Sequence, residues 1–126
     1  MASHRAYRLG DLQLRILKVL WNSGPASVAN VQSQLGEPLA YTTVATMLRK
    51  MEDRGLVEHE EADRKFIYRA AAAEEEITRS MADDLVDRLF QGSLAEALSH
   101  LLETREVSRR ELAQLERLIQ ERKKRS

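Results

Sequence analysis

Thr42, Thr46, Arg49 and Asp53 recur at three- to four-residue spacing, flanked by Thr43, Ala45 and Lys50. Such spacing sets side chains along one face of a helix. The opposite face is apolar, with Val44, Met47, Leu48 and Met51 at i, i+3, i+4 and i+7. Small hydroxyls near a helix start, with cations further along, suit a helix lying in the major groove of DNA. The hydroxyls and the free N–H groups of the first turn reach phosphates. Arg49 can reach a base edge or a phosphate, and the Thr and Ala methyls can pack on thymine. A solvated, well-capped helix face accounts for Thr-Thr-x-x-Thr equally well on composition alone. Its position in the chain favours the nucleic-acid reading.

A stripe of this kind needs a folded unit to hold it. Leu12, Ile16 and Leu20, with Leu14, Leu17 and Trp21 beside them, predict a first helix over Leu9 to Trp21. Asp11 suits its positive end, and Asn22-Ser23-Gly24-Pro25 stops it. Ser27 is placed to cap a short second helix through Val28, Val31 and Leu35, closed by Gly36-Glu37-Pro38. The third helix, carrying the stripe, is predicted from about Tyr41 to Arg54 with Gly55 just past its C-cap. Beyond Gly55 the period changes. Leu56 to Glu60 and Phe66 to Arg69 read as hairpin strands around the polar link Glu61 to Lys65. Three helices and a hairpin form the order of a winged helix-turn-helix. Arg64 and Lys65 then occupy the wing tip, where cations clamp backbone phosphates. Glu60, Glu61 and Asp63 nearby leave a plain solvated turn as the alternative.

Residues 71–126 read as wholly helical. Ile77, Met81, Leu85 and Leu89 step by four, with Val86 and Phe90 alongside, until Gln91-Gly92 breaks the pattern. Ser93 is placed to cap a helix with Leu94, Leu98, Leu101 and Leu102 on its face. Ser108 and Glu111 form a capping-box pattern before Leu112, Leu115, Leu118 and Ile119. These stripes have few partners in their own chain, so they are expected to meet their copies in a second protomer. The dimerisation residues expected are Leu85, Leu89, Leu98, Leu101, Leu112, Leu115 and Ile119. The alternative is an ordinary helical subdomain packed on the winged helix. The expected fold is therefore mainly α with a small β-hairpin wing. Residues 1–71 form a winged-helix DNA-binding domain and residues 72–126 a helical dimerisation domain.

Composition sets the bounds on function. With 126 residues and 43% apolar composition, the chain makes one or two small domains. Twenty basic and 20 acidic residues cancel, so no global field draws it to nucleic acid or anionic membrane. Residues 1–70 carry 10 Lys/Arg against 8 Asp/Glu, while the remainder carries 10 against 12. Any nucleic-acid site must be a local patch. The chain has no cysteine, which excludes disulfides, thiolate zinc sites and Cys nucleophiles. Met1 to Arg8 shows no signal-peptide pattern and no segment approaches a membrane span, so a cytoplasmic protein is expected.

The lesser clusters have ordinary explanations. Arg5, Tyr7 and Arg8 suit an N-terminal arm toward a DNA backbone, or a disordered end. Arg122 to Arg125 and Glu74-Glu75-Glu76 match the dipoles at a helix C-terminus and N-terminus. His4, His59 and His100 lie far apart without metal-ligand or triad partners at known spacing, so neither catalysis nor a metal or other cofactor is expected.

Leu9-Gly10-Asp11-Leu12-Gln13-Leu14-Arg15-Ile16-Leu17 leading to Leu20-Trp21, then Ala40 to Met51 with its Tyr-Thr-Thr-Val start, then Gly55-Leu56-Val57, resembles the penicillinase-repressor (BlaI/MecI/CopY) family. The similarity extends to Leu89-Phe90-Gln91-Gly92-Ser93 and the Leu112 to Ile119 helix. This resemblance implies a homodimer that sits on an inverted-repeat operator in double-stranded DNA and blocks transcription of resistance or homeostasis genes. It implies recognition positions at Thr42, Thr43, Ala45, Thr46, Arg49 and Lys50. The positions of Thr42 and Ala45 are more basic in well-known members. It also implies release by cleavage in the dimerisation domain, triggered by a membrane-bound, β-lactam-sensing metalloprotease. The best-known scissile bond of the family joins Asn to Phe; here Ser99-His100-Leu101 falls there, leaving His100–Leu101 as the candidate bond. The copper-responsive branch uses a C-terminal cysteine motif, absent from this chain.

Two rival classes stand beside that reading. A small-ligand-sensing winged-helix regulator would need an effector pocket between domains, for which one Trp, three Tyr and two Phe offer little lining. A winged helix used only for protein contacts would lack salt-sensitive DNA binding.

Overall fold

The computed structural model describes residues 9–126, so the expected Arg5, Tyr7 and Arg8 arm lies outside the described residues, as does His4. The element order is α1 (Asp11–Ser23), β1 (Ala26–Ser27), α2 (Val28–Gln34), α3 (Tyr41–Asp53), β2 (Val57–Ala62), β3 (Lys65–Ala70), α4 (Glu74–Phe90), α5 (Leu94–Thr104) and α6 (Arg109–Arg125). The contacts divide the chain into two compact units, the first ending at Asp83 and the second running Asp84–Ser126. Helix α4 runs through the division.

In the first unit, apolar faces meet in one core. Ile16, Leu17 and Leu20 of α1 pack with Val28 and Val31 of α2, Val44, Leu48 and Met51 of α3, and Val57 and Tyr68 of the sheet. Helix α1 begins at Asp11 rather than Leu9, because Gly10 is its N-cap and donates its N–H to Oε1 of Gln13. Ser27 caps α2 by accepting the N–H of Asn30 at 3.2 Å. The turn into α3 is pinned from both sides. Arg15 donates to the carbonyl of Leu35 at 2.9 Å and pairs with Glu37 at 2.8 Å, while Gln32 donates to the carbonyl of Leu39 at 2.7 Å.

Helix α3 ends where Gly55 takes φ +77, a left-handed conformation that glycine adopts freely. Gly55 donates to the carbonyl of Glu52 and Leu56 to that of Met51, both at 2.9 Å. This is a Schellman closure, with buried Leu56 carrying the chain into β2.

The sheet has three antiparallel strands in the order β1-β3-β2. The hairpin is tighter than the sequence predicts. Ala62 pairs with Lys65, leaving only Asp63 and Arg64 in the turn, at φ +52 and +66. Two central residues with positive φ fit the type I′ turn of a two-residue hairpin. β1 is unforeseen, a two-residue strand on the other edge of β3 whose Ala26 and Ser27 pair with Tyr68 and Ile67. Trp21 donates its indole N–H to the carbonyl of Ala72 at 2.9 Å, tying α1 to the segment after β3. Ile77 is buried in the core of this unit.

The second unit is entirely helical. Gln91 and Gly92 turn the chain at φ +49 and +80. Ser93 caps α5 by accepting from the N–H of Glu96, and Ser108 caps α6 by accepting from that of Glu111, both at 3.1 Å. No residue of α6 is buried. Among the described residues, no helix is long and apolar enough to cross a membrane.

Candidate nucleic-acid interface

Helix α3 presents the expected stripe. Val44, Leu48 and Met51 are fully buried and Met47 is half-buried, which turns Thr42, Thr43, Thr46, Arg49, Lys50 and Asp53 outward. Among the described residues, no side chain caps its N-terminus at Ala40. The Thr43 N–H is taken by the Ala40 carbonyl at 3.1 Å, which leaves those of Tyr41 and Thr42 to an outside acceptor such as a phosphate oxygen. Arg49 lies along the stripe and donates to Oγ1 of Thr46 at 3.4 Å. Gln13 of α1 braces the helix from behind, accepting from Arg54 at 3.0 Å and donating to Sδ of Met47 at 3.4 Å.

A groove of about 420 Å³ lies between this helix and the wing. Ala45 and Arg49 of α3 line it together with Arg64 and Lys65 of the wing tip, so two cation sets far apart in sequence border one concavity. Thr42, Thr43, Thr46 and Lys50 do not line the groove; they lie on the exposed surface of α3. The groove also has an aromatic component that the sequence reading does not include. Tyr41, Phe66 and Tyr68 line it, with Tyr41 53% and Phe66 45% exposed. The placing of Phe66 two residues before Tyr68 on β3 puts both rings on one face of the strand, a two-residue repeat visible in the sequence. Burial, then the nearby Glu52 carboxylate, raises the Tyr68 phenol above its ordinary range, while Arg49 acts in the opposite direction.

Elsewhere the candidate residues scatter. Among the described residues, no group of three or more acidic or histidine side chains is placed to hold a metal ion, and Glu75 pairs with Arg79 at 2.6 Å. His100 and Leu101 are both exposed and lie inside α5, where the His100 carbonyl accepts from the Thr104 hydroxyl at 3.0 Å. In the second unit Leu85, Leu89, Leu101, Leu112 and Ile119 are exposed, and Leu98 and Leu115 are half-buried. Leu94, Leu102 and Leu118 are exposed as well. The basic run Arg122 to Arg125 forms the last turn of α6.

The sequence profile of the family described as "Penicillinase repressor" matches residues 9–121. The chain belongs to the penicillinase-repressor family. Its members are transcriptional regulators, and similar proteins carry names to match. The penicillinase repressor of Bacillus licheniformis is 23% identical over 120 residues, covering 94% of each chain. The transcriptional regulator BlaI of Mycobacterium tuberculosis is 34% identical over 118 residues, covering 86% of each. Among solved structures, the C80S mutant of MarR from E. coli is similar in fold, with a TM-score of 0.53 at 15% identity over 90% of this chain and 76% of that one. These relatives are regulators rather than enzymes.

Proposed function

We propose that this penicillinase-repressor family member binds an inverted-repeat operator in double-stranded DNA as a homodimer. Helix α3 enters the major groove and the β2–β3 wing lies on the flanking backbone. Thr42, Thr43, Ala45, Thr46, Arg49 and Lys50 contact bases and phosphates, and Arg64 and Lys65 contact phosphates. The observation that carries this reading is the groove in which Arg49 of α3 and Arg64 and Lys65 of the wing border the same concavity. Dimerisation runs through the second unit, where exposed leucines recur on three helices. On this reading residues 1–71 bind DNA, residues 72–126 dimerise, and the protein works in the cytoplasm without a catalytic step of its own.

Release by a membrane-bound sensor metalloprotease is part of the same proposal, at the His100–Leu101 bond. That bond lies within a helix, so α5 must unwind locally before a protease can hold it in extended form.

The test is selection of bound duplexes from a randomised library, followed by affinity measurements on the selected sequence. Arg49→Ala is expected to weaken binding by about 1–3 kcal/mol and relax preference at one base pair if Arg49 makes a bidentate base contact. Unchanged affinity and preference would remove Arg49 from the readout.

A further inference from the structure

The two walls of the groove are joined by side chains that are not themselves among the proposed DNA contacts. His59 stands on β2 opposite Tyr68 of β3. Its Nδ1 lies 2.7 and 2.8 Å from the two carboxylate oxygens of Glu52 on α3. A carboxylate only accepts hydrogen bonds, so Nδ1 carries a proton and donates it to Glu52. The imidazole ring stacks on Phe66, with centroids 4.2 Å apart and planes 27° apart, and Tyr68 stands 5.4 Å away. Phe66 in turn lines the groove beside Arg64 and Lys65. Glu52 follows Arg49 by three residues, so both lie on neighbouring parts of one helix face.

The wing needs such support. β1 reaches only as far as Ile67 and Tyr68, so the pairs Glu61–Phe66 and Ala62–Lys65 have no third strand beside them among the described residues. A two-stranded ribbon alone is marginally stable in water. Cations on a loosely held ribbon would lose ordering entropy on meeting DNA, and a wing held in place loses less.

We propose that Glu52, His59 and Phe66 form a positioning chain that fixes the wing against the recognition helix, so that Arg64 and Lys65 grip the DNA backbone in register with Arg49. The inference rests on the DNA-binding reading above. Glu52 and His59 are positioning residues; they act through the wing cations and need not touch DNA.

The test is a double-mutant cycle on the full-length protein, read by anisotropy of a labelled duplex of mixed sequence across a salt series. In the wild-type background Lys65→Ala should lower the salt slope by about one unit. In the His59→Ala background it should lower the slope by less than about half a unit, while the loss from Arg49→Ala stays the same in both. Glu52→Gln keeps an oxygen for the Nδ1–H and should preserve the Lys65 effect, whereas Glu52→Ala should abolish it. A purely structural pair would lower the thermal midpoint and leave the Lys65 slope unchanged; equal slopes in all backgrounds would overturn the proposal. Should His59→Ala fail to fold, the Glu52→Ala and Glu52→Gln pair carries the same comparison. Salt-independent failure of the wild type to bind any duplex would instead remove the DNA reading itself, and this inference with it.

Discussion

The two compact units place their apolar residues in opposite ways. In the first, Ile16, Leu17, Val31, Val44, Leu48, Met51 and Leu56 are completely buried, and three helices and a sheet close over one core. In the second, Ala97 is the one apolar residue buried among the described residues, while Leu89, Leu94 and Leu118 are each more than 60% exposed. Amphipathic stripes occur along both units, so amphipathicity alone does not make a core. A stripe buries itself only where the chain brings another stripe to face it. Soluble monomers rarely expose large contiguous apolar patches, and a 17-residue helix without buried residues, such as α6, has little tertiary packing to stabilise it. The first unit therefore holds its fold within one chain, and the second exposes the leucines that we propose as the dimer surface.

Breaking the second unit's expected interface should give the largest effect. Leu115→Asp is expected to convert dimers to monomers in sedimentation and to lower operator affinity by about 10²–10⁴-fold, the loss of a linked second half-site. A variant that stays dimeric would move the interface elsewhere. Next comes the contrast in cores. Leu17→Ala should lower the unfolding free energy by about 2–5 kcal/mol through a buried cavity, measured by chemical denaturation. Leu118→Ala, at an exposed position, should change it far less than that at dilutions where the chain is monomeric. Similar losses in both would mean that α6 is packed within its own chain.

The smallest effect concerns Tyr68. Its folded-state pKa is raised by burial and by Glu52. A raised pKa means the fold favours the protonated phenol, so the stabilisation is complete below the unfolded value and is lost as pH rises through the folded value. Stability of the wild type should therefore fall above about pH 10 more steeply than that of Tyr68→Phe. Parallel curves from denaturation at increasing pH would show that the phenol does not titrate against the fold.

Much of the first unit was legible because its signals agreed at several levels. The α3 stripe combined a three-to-four repeat, a buried opposite face and a glycine at the stop, and all three reappear in the structure. The wing was legible in type and not in detail. Its glutamate-rich first strand lacks apolar alternation, so Glu61 and Ala62 read as loop when they are paired strand. β1 was hidden because two residues after a proline carry no periodicity; only the pairing partner on β3 makes Ala26-Ser27 a strand. In the site, the cations of α3 and the wing were legible by type, but not their shared border. The Glu52–His59 link was not, since cross-strand register and the helix-to-sheet distance set it. Opposed positions such as His59 and Tyr68 become visible only once the turn is known to hold two residues.

That turn has a consequence for how this molecule could be improved or impaired. Asp63 and Arg64 both adopt backbone angles that suit asparagine and glycine better. The paired substitution Asp63→Asn and Arg64→Gly would relieve local strain of about 1 kcal/mol. It would also delete a cation from the wing tip. If Arg64 contacts phosphate as proposed, an engineer selecting only for heat resistance would therefore drift toward a sturdier hairpin with a weaker hold on nucleic acid. On the proposed DNA-binding reading, foldability and grip compete for Arg64.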